Sequence, residues 1–198
     1  MPKKRVAVFV SGGGTNLQTL LDAQASGLLK SGEIALVISS KPGVYALERA
    51  EKAGVPALVF PRKELGVEGF EERTLVALEE YKIDFMVTAG FLTIFSEGFI
   101  RRFPRRMINV HPALLPAFGG KGFYNLHVHD AALARGVKIT GATVHFVNEI
   151  CDGGEILLQK AVEVFPGDTP EILQRRVMEQ AEWILLPQAL EMVCSGKI

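Results

Sequence analysis

The sequence predicts an α/β fold: an open twisted sheet, parallel in its N-terminal half and antiparallel in its C-terminal half, with helices on both faces. Three observations predict it. Short β-branched and apolar runs alternate with helical stretches up to residue 89, the order that gives parallel strands joined by crossover helices. The strand-like runs of that half are apolar throughout rather than alternating, as expected for strands covered on both faces. The later part carries two strand-like runs joined by a loop, a spacing that suits antiparallel neighbours, and then one long helix.

Taken in order, Val6 to Val10 is the first buried strand. The basic start before it, Met1 to Arg5, resembles a signal sequence, but the apolar run is short and breaks into Ser11-Gly12-Gly13-Gly14. Thr15 to Ala25 reads as a helix with Leu17, Leu20 and Leu21 on one stripe. Ile34 to Ile38 is the second strand, ended by Ser39 to Gly43. Tyr45 to Ala53 is helical, with Gly54 as its stop. Val55 to Phe60 is a short third strand, Glu68 to Tyr81 an amphipathic helix, and Phe85 to Ala89 the fourth strand. Met107 to Val110 is the fifth and runs straight into His111-Pro112. A glycine-rich aromatic loop, 118–124, precedes a helix that includes Asp130 to Ala134. Ile139 to Val147 and Ile156 to Val164 are the antiparallel strands. Asp168-Thr169-Pro170 opens a C-terminal helix to Val193, which Pro187 should kink or interrupt. No repeat or composition break divides the chain, so a single Rossmann-like domain over 1–198 is expected.

Composition narrows the function. Of 198 residues, 22 are basic and 22 acidic, which gives no reason to expect nucleic acid or an anionic membrane as partner. A hydrophobic share of 48% excludes disorder as a description of the whole chain. Two cysteines are too few for a disulfide framework, and no run approaches the length of a membrane span. A cytoplasmic protein is expected, monomeric or homodimeric.

Three motifs could carry chemistry. Ser11-Gly12-Gly13-Gly14-Thr15-Asn16 joins a buried strand to a helix N-terminus, where free N–H groups suit a phosphate. It is not a dinucleotide motif, because Leu17 stands where a third glycine would, and Ser39-Ser40 ends the next strand where an acidic residue would hold a ribose. Asn109 and His111, two apart at a strand end, share a face and could stabilise an oxyanion and move a proton. Asp152, followed by Gly153 and Gly154, could approach a histidine and raise its pKa, or be an ordinary turn residue. His145 alternates with Val144 and Phe146 and suits a core position as well as a catalytic one. His127-Val128-His129, with His111, Cys151 and Asp152, could be assembled into a metal site, with His127 and His129 on one face. No HExxH, CxxC or acidic cluster supports one, so no metal is expected.

In sequence order, Ser11-Gly-Gly-Gly-Thr-Asn16, Ala89-Gly-Phe-Leu92, Asn109-Val-His-Pro-Ala-Leu-Leu-Pro116, Gly141-Ala-Thr-Val-His-Phe-Val147 and Asp152-Gly-Gly154 resemble the folate-dependent formyltransferases over nearly the whole chain. The resemblance implies formyl transfer from 10-formyltetrahydrofolate, a co-substrate, to the amine of glycinamide ribonucleotide in purine (IMP) synthesis. It implies catalytic roles for Asn109, His111 and Asp152, without metal or covalent enzyme intermediate. It assigns the substrate phosphate to Gly13, Gly14, Thr15 and Asn16, and a ribonucleotide contact to Glu182. It assigns the folate to Leu92, Thr93, Ile94, Phe95, Asn109, Asn148, Glu149, Ile150, Cys151 and Asp152. Val67 stands where some members have a folate-contacting arginine, Glu155 where proline is frequent, and the loop 118–124 is longer than in the shorter members. Rival readings are a formyltetrahydrofolate deformylase, a methionyl-tRNA formyltransferase and a non-catalytic nucleotide-binding module. The first carries an extra N-terminal domain and the second an extra C-terminal domain with a basic surface. The fold expected here starts at Lys4 and the chain ends at Ile198 with no net charge.

Overall fold

Strand β1, Lys4–Val10, is buried along most of its length and divides the core in two. Its alternation sends Val6, Val8 and Val10 to one face and Ala7 and Phe9 to the other. The computed structural model describes residues 2–88 and 90–198; Met1, and Ala89 at the end of the expected fourth strand, lie outside the described residues.

After β1 come α1 (Thr15–Ala25), β2 (Gly32–Ser39), α2 (Tyr45–Lys52), β3 (Ala57–Val59), α3 (Arg62–Glu80), β4 (Phe85–Thr88), α4 (Glu97–Ile100) and β5 (Met107–His111). Then follow α5 (Leu126–Arg135), β6 (Ile139–Phe146), β7 (Ile156–Glu163), α6 (Pro170–Val177), a π-helical turn at Met178–Glu182, and α7 (Trp183–Cys194). The sheet order is β3-β2-β1-β4-β5-β6-β7. Strands β1 to β5 pair in parallel, and β6 pairs antiparallel with both β5 and β7. Leu17, Leu20 and Leu21 of α1, Ala46 and Ala50 of α2, Leu173 of α6 and Leu186 of α7 cover one face; Phe70 and Leu78 of α3 and Phe99 of α4 cover the other. Burying each such leucine or phenylalanine contributes about 1.5–3 kcal/mol.

The order in which strands are added to the sheet reverses at β1, whose neighbours are β2 and β4. In such sheets the loops leaving the two central strands part company, and a crevice opens at their carboxyl ends. The loops after β1, β4 and β5 therefore meet at one edge.

The structure departs from expectation at four helices. Helix α3 begins at Arg62 and is broken at Gly66, whose φ of 70° no helix accommodates. The short α4 has no apolar period to announce it. It is set by Ser96, whose Oγ accepts from Phe99 N–H and donates to Glu71. Helix α5 starts at Leu126, earlier than the Asp130 stretch indicated. The C-terminal helix is interrupted at Met178–Glu182, upstream of Pro187, which lies inside α7. Proline at 187 cannot donate to the Trp183 carbonyl and crowds it, and the wide turn lies immediately N-terminal to that carbonyl. Among the described residues, no helix is long and apolar enough to cross a membrane.

Gly14, with φ 72°, ends the turn after β1, and a Cβ there would lie 2.7 Å from the Ala46 Cβ. Its missing side chain lets α2 pack against the loop. Gly14→Ala should therefore cost about 2–4 kcal/mol, from left-handed strain plus overpacking. Gly13→Ala, which meets open space, should cost well under about 1 kcal/mol. Urea denaturation of both variants checks this; equal losses would contradict it.

Candidate active site

A cleft of about 930 Å³ lies at the carboxyl ends of β1, β4 and β5. Of the residues singled out in the sequence, Gly13, Gly14, Thr15, Asn16, Leu92, Ile94, Asn109, His111, Cys151, Asp152 and Glu182 line it. Thr93, Asn148, Glu149 and Ile150 do not line it. Phe95 is buried in the aromatic core, stacked on Phe99 with ring centroids 4.4 Å apart. Asn148 supports the loop instead, accepting from Ile150 N–H and donating to the Gly153 carbonyl. Glu149 pairs with Arg101 on the outer rim.

At one end of the cleft, the glycine turn leads into the N-terminus of α1. The first α1 backbone bond runs from Gln18 N–H to Gly14 O, so the N–H groups before it are available to an anion. Asn16 reaches across 166 positions of sequence to donate to Glu182 Oε2 at 2.7 Å. Its Oδ1 is buried and has no partner among the described residues. The π turn delivers Glu182 to this point. Burial pushes the Glu182 carboxyl up to about 7, against the bond from Asn16.

In the middle of the cleft, Asn109 and His111 leave β5 on one face, paired across the sheet with His145 and Thr143. The Thr88 hydroxyl donates to Asn109 Oδ1 at 2.8 Å, which fixes the amide and leaves Nδ2 3.2 Å from His145 Nε2. A carbonyl can only accept, so His145 carries a hydrogen on Nδ1, facing Phe146 O at 2.8 Å. By the same reasoning His111 carries one on Nε2, donated to Phe118 O at 2.8 Å. His111 Nδ1 faces Asp152 Oδ2 at 3.5 Å, and His145 Nε2 faces Asp152 Oδ1 at 3.6 Å.

Asp152 sits at φ 54° in a turn closed by Gly153 N–H to Ile150 O, and its Oδ2 accepts from Gly120 N–H at 2.9 Å. Gly154 has no room for a side chain, since a Cβ would fall on the Phe146 carbonyl. Burial works against the Asp152 charge. The facing His145 and His111 rings and the Gly120 N–H outweigh it and hold the carboxyl below the usual range. For His111, burial wins: it lowers the pKa even though Asp152 and the Phe118 carbonyl raise it. Asp152 does act on His111 in the expected direction, but burial leaves the imidazole's pKa below its ordinary value.

The sequence pattern did not single out several lining residues. Lys41 follows the Ser39-Ser40 end of β2, Gln174 and Met178 come from α6 and the π turn, and Lys121, Phe123 and Tyr124 come from the aromatic loop. His129 also lines the cleft. It is fully buried, both ring nitrogens lack partners among the described residues, and burial pushes its pKa down to about 4. The His-x-His spacing marked it, but α5 turns His127 and His129 about 200° apart, so the two do not share a face. His127 is exposed against Tyr124. Val67 is exposed, and Glu155 pairs with Arg105 at the rim.

The family described as Formyl transferase matches residues 4–190. The chain is 41% identical to the chloroplastic phosphoribosylglycinamide formyltransferase of Arabidopsis thaliana, over 99% of this chain and 67% of that protein. It is 43% identical to the trifunctional purine biosynthetic protein adenosine-3 of Homo sapiens, over 99% of this chain and 19% of that protein. The counterpart from Vigna unguiculata is matched over 62% of its length, so the chain spans about two thirds or less of these curated relatives. Solved structures are matched almost end to end. Glycinamide ribonucleotide transformylase 1 from Symbiobacterium toebii superposes with a TM-score of 0.90 at 39% identity, over 98% of this chain and 89% of that one. Phosphoribosylglycinamide formyltransferase from Brucella melitensis gives 0.89 at 39% identity, over 100% and 98%.

Glu182 yields a stability prediction. Its carboxyl rises from about 4.5 unfolded to about 7 folded, so the folded state holds the proton more tightly. Stability should fall as pH rises through that window and stay reduced above it. Glu182→Gln, neutral and able to bond Asn16, removes the effect. Relative to wild type, the variant should gain on the order of 3 kcal/mol between pH 4.5 and 7.5. Denaturant titrations at several pH values check this; a pH-independent difference would contradict it.

Proposed function

The chain belongs to the formyl transferase family, and from that premise we propose that it transfers the formyl group of 10-formyltetrahydrofolate to the primary amine of N1-(5-phosphoribosyl)glycinamide, yielding the formylated ribonucleotide and tetrahydrofolate in purine (IMP) biosynthesis. One observation carries the reading: a single cleft joins an anion cradle at the N-terminus of α1 to the group Asn109, His111 and Asp152. A phosphate in the cradle would leave the rest of a ribonucleotide extending along Asn16 and Glu182 toward His111. The unpartnered Asn16 Oδ1 and the Glu182 carboxyl suit sugar hydroxyls. On the other side, the exposed Leu92 and Ile94 offer an apolar wall for a folate ring system.

Each residue has a task that its contacts fit. Asn109 Nδ2 has two hydrogens; His145 takes one, and the other is available to the oxygen of the formyl group. As the amine attacks the formyl carbon, the carbonyl electron pair moves onto that oxygen, where Asn109 and His111 stabilise it. His111, with its Nδ1 facing Asp152, takes up the proton released by the attacking amine at that nitrogen, holds it as an imidazolium beside the oxyanion with Asp152 favouring the charge, and gives it back to the relay before the folate leaves. Asp152, through water, moves the proton lost by the amine to the departing folate nitrogen, which leaves with the carbon–nitrogen bonding pair. The transfer is direct and uses no covalent enzyme intermediate.

A transfer assay with purified protein, glycinamide ribonucleotide and 10-formyltetrahydrofolate should give stoichiometric tetrahydrofolate and formylated ribonucleotide. Asn109→Ala or His111→Ala should lower kcat by about 10²-fold while both substrates still bind. Release of free formate without an acceptor would mark a deformylase instead. Ribonucleotide binding indifferent to a folate analogue, with no turnover, would mark a binding module. Near-full kcat in His111→Ala would remove that residue from the mechanism.

A further inference from the structure

The glycine turn is held from behind by α2. Ala46 N–H donates to Gly12 O at 3.2 Å, and Arg49 Nε–H donates to Gly13 O at 2.9 Å. Arg49 does not hang free at this point. Its Nη1 donates to Gln18 Oε1 at 2.8 Å, and its guanidinium lies over the Tyr45 ring, 4.8 Å from the centroid. Three contacts thus fix one arginine in a single pose on the outer side of the turn.

That pose has a consequence for the cleft. In a trans peptide, the carbonyl and the following N–H point in opposite directions. Tying Gly12 O and Gly13 O back to α2 therefore turns the N–H groups of Gly13 and Gly14 away from α2. Both residues line the cleft, and neither N–H has a partner among the described residues. Successive backbone N–H groups turned the same way form an anion-binding concavity, which α1 extends with its own first turn. Glycine peptides are the softest in the chain, so this orientation needs an external hold. Gly14, with α2 packed against it, provides the proximity; Arg49 provides the directional bond.

We infer that Arg49 is a positioning residue: it presets the Gly13–Gly14 peptide so that its N–H meets the substrate phosphate, without itself touching the substrate. The inference rests on the phosphate-cradle reading of the turn. A role confined to packing would affect stability and leave phosphate recognition alone, whereas a presetting role acts on the ribonucleotide and spares the folate.

The test combines steady-state kinetics with calorimetric binding of ribose 5-phosphate, a phosphate monoester probe. In wild type, ribose 5-phosphate should compete with the ribonucleotide and not with the folate. Arg49→Met, which keeps the aliphatic stem and loses the donors, should raise the KM for the ribonucleotide and the Kd for ribose 5-phosphate by about tenfold each. Its kcat and its KM for the folate should stay within about twofold. Arg49→Lys, which can still donate to Gly13 O, should recover most of the loss. Gln18→Ala, which removes only the lateral anchor, should raise the same KM by a smaller factor. If wild type binds ribose 5-phosphate competitively and Arg49→Met binds it equally well, the positioning role is overturned while the cradle stands. If wild-type binding of ribose 5-phosphate does not compete with the ribonucleotide, the cradle reading falls and the inference with it.

Discussion

One carboxylate, Asp152, holds the cleft together. It faces His111 from β5 and His145 from β6, and accepts from Gly120 of the loop that follows β5. An ionised carboxylate largely withdrawn from water is tolerated only where polar groups compensate it. Here the Gly120 N–H and the two facing imidazoles do so, from three segments that must be correctly placed at once. The β5–β6 register sets Asn109 opposite His145, and the left-handed Asp152 brings its side chain back over that pair. The loop 118–124 then closes on both partners, through Phe118 O to His111 and Gly120 N–H to Asp152. Shifting the register by one residue would turn Asn109 and His111 to the opposite face and leave the carboxylate without its imidazoles.

The other end of the cleft depends on a different constraint, the close approach of α2 to the turn after β1. Two helices meet there. The N-terminus of α1 supplies the positive end of a helix dipole, and α2 packs where a Gly14 Cβ would be. The π turn then brings Glu182 beneath Asn16, and burial keeps that carboxyl partly protonated near neutrality. The two ends carry opposite electrostatic characters: open backbone donors at one, and a compensated carboxylate between histidines at the other. That separation suits a substrate with an anionic group at one end and a reacting amine at the other.

Much of this was legible in the sequence. The apolar runs of β1, β2 and β4 are unbroken because both faces are covered, so their parallel pairing could be read directly; the sheet order, with β1 between β2 and β4, could not. Thr15–Ala25 begins and ends as its leucine stripe indicates. Asn109, His111 and Asp152 were visible as chemistry, two of them by strand spacing. What escaped depends on contacts distant in sequence. The short α4 is fixed by Ser96 and Glu71, 25 positions apart. The break at Gly66 and the π turn leave no period to detect. Phe95 was assigned to the folate pocket through the resemblance, yet its ring fills the aromatic core between Phe9 and Phe99. Gly14 looked like a glycine required by a ligand, and its first requirement is α2. The net pKa of His111 depended on how deeply the ring is buried, which no local pattern states.

The ring signals of His111, followed by NMR across a pH titration in wild type and in Asp152→Asn, test the role of Asp152 most directly. The substitution preserves shape and removes the charge, so the His111 titration should move to lower pH, and kcat should fall by about 10²-fold with the loss of proton transfer. A His111 titration that stays in place, with activity unchanged, would show that Asp152 is no more than a turn residue.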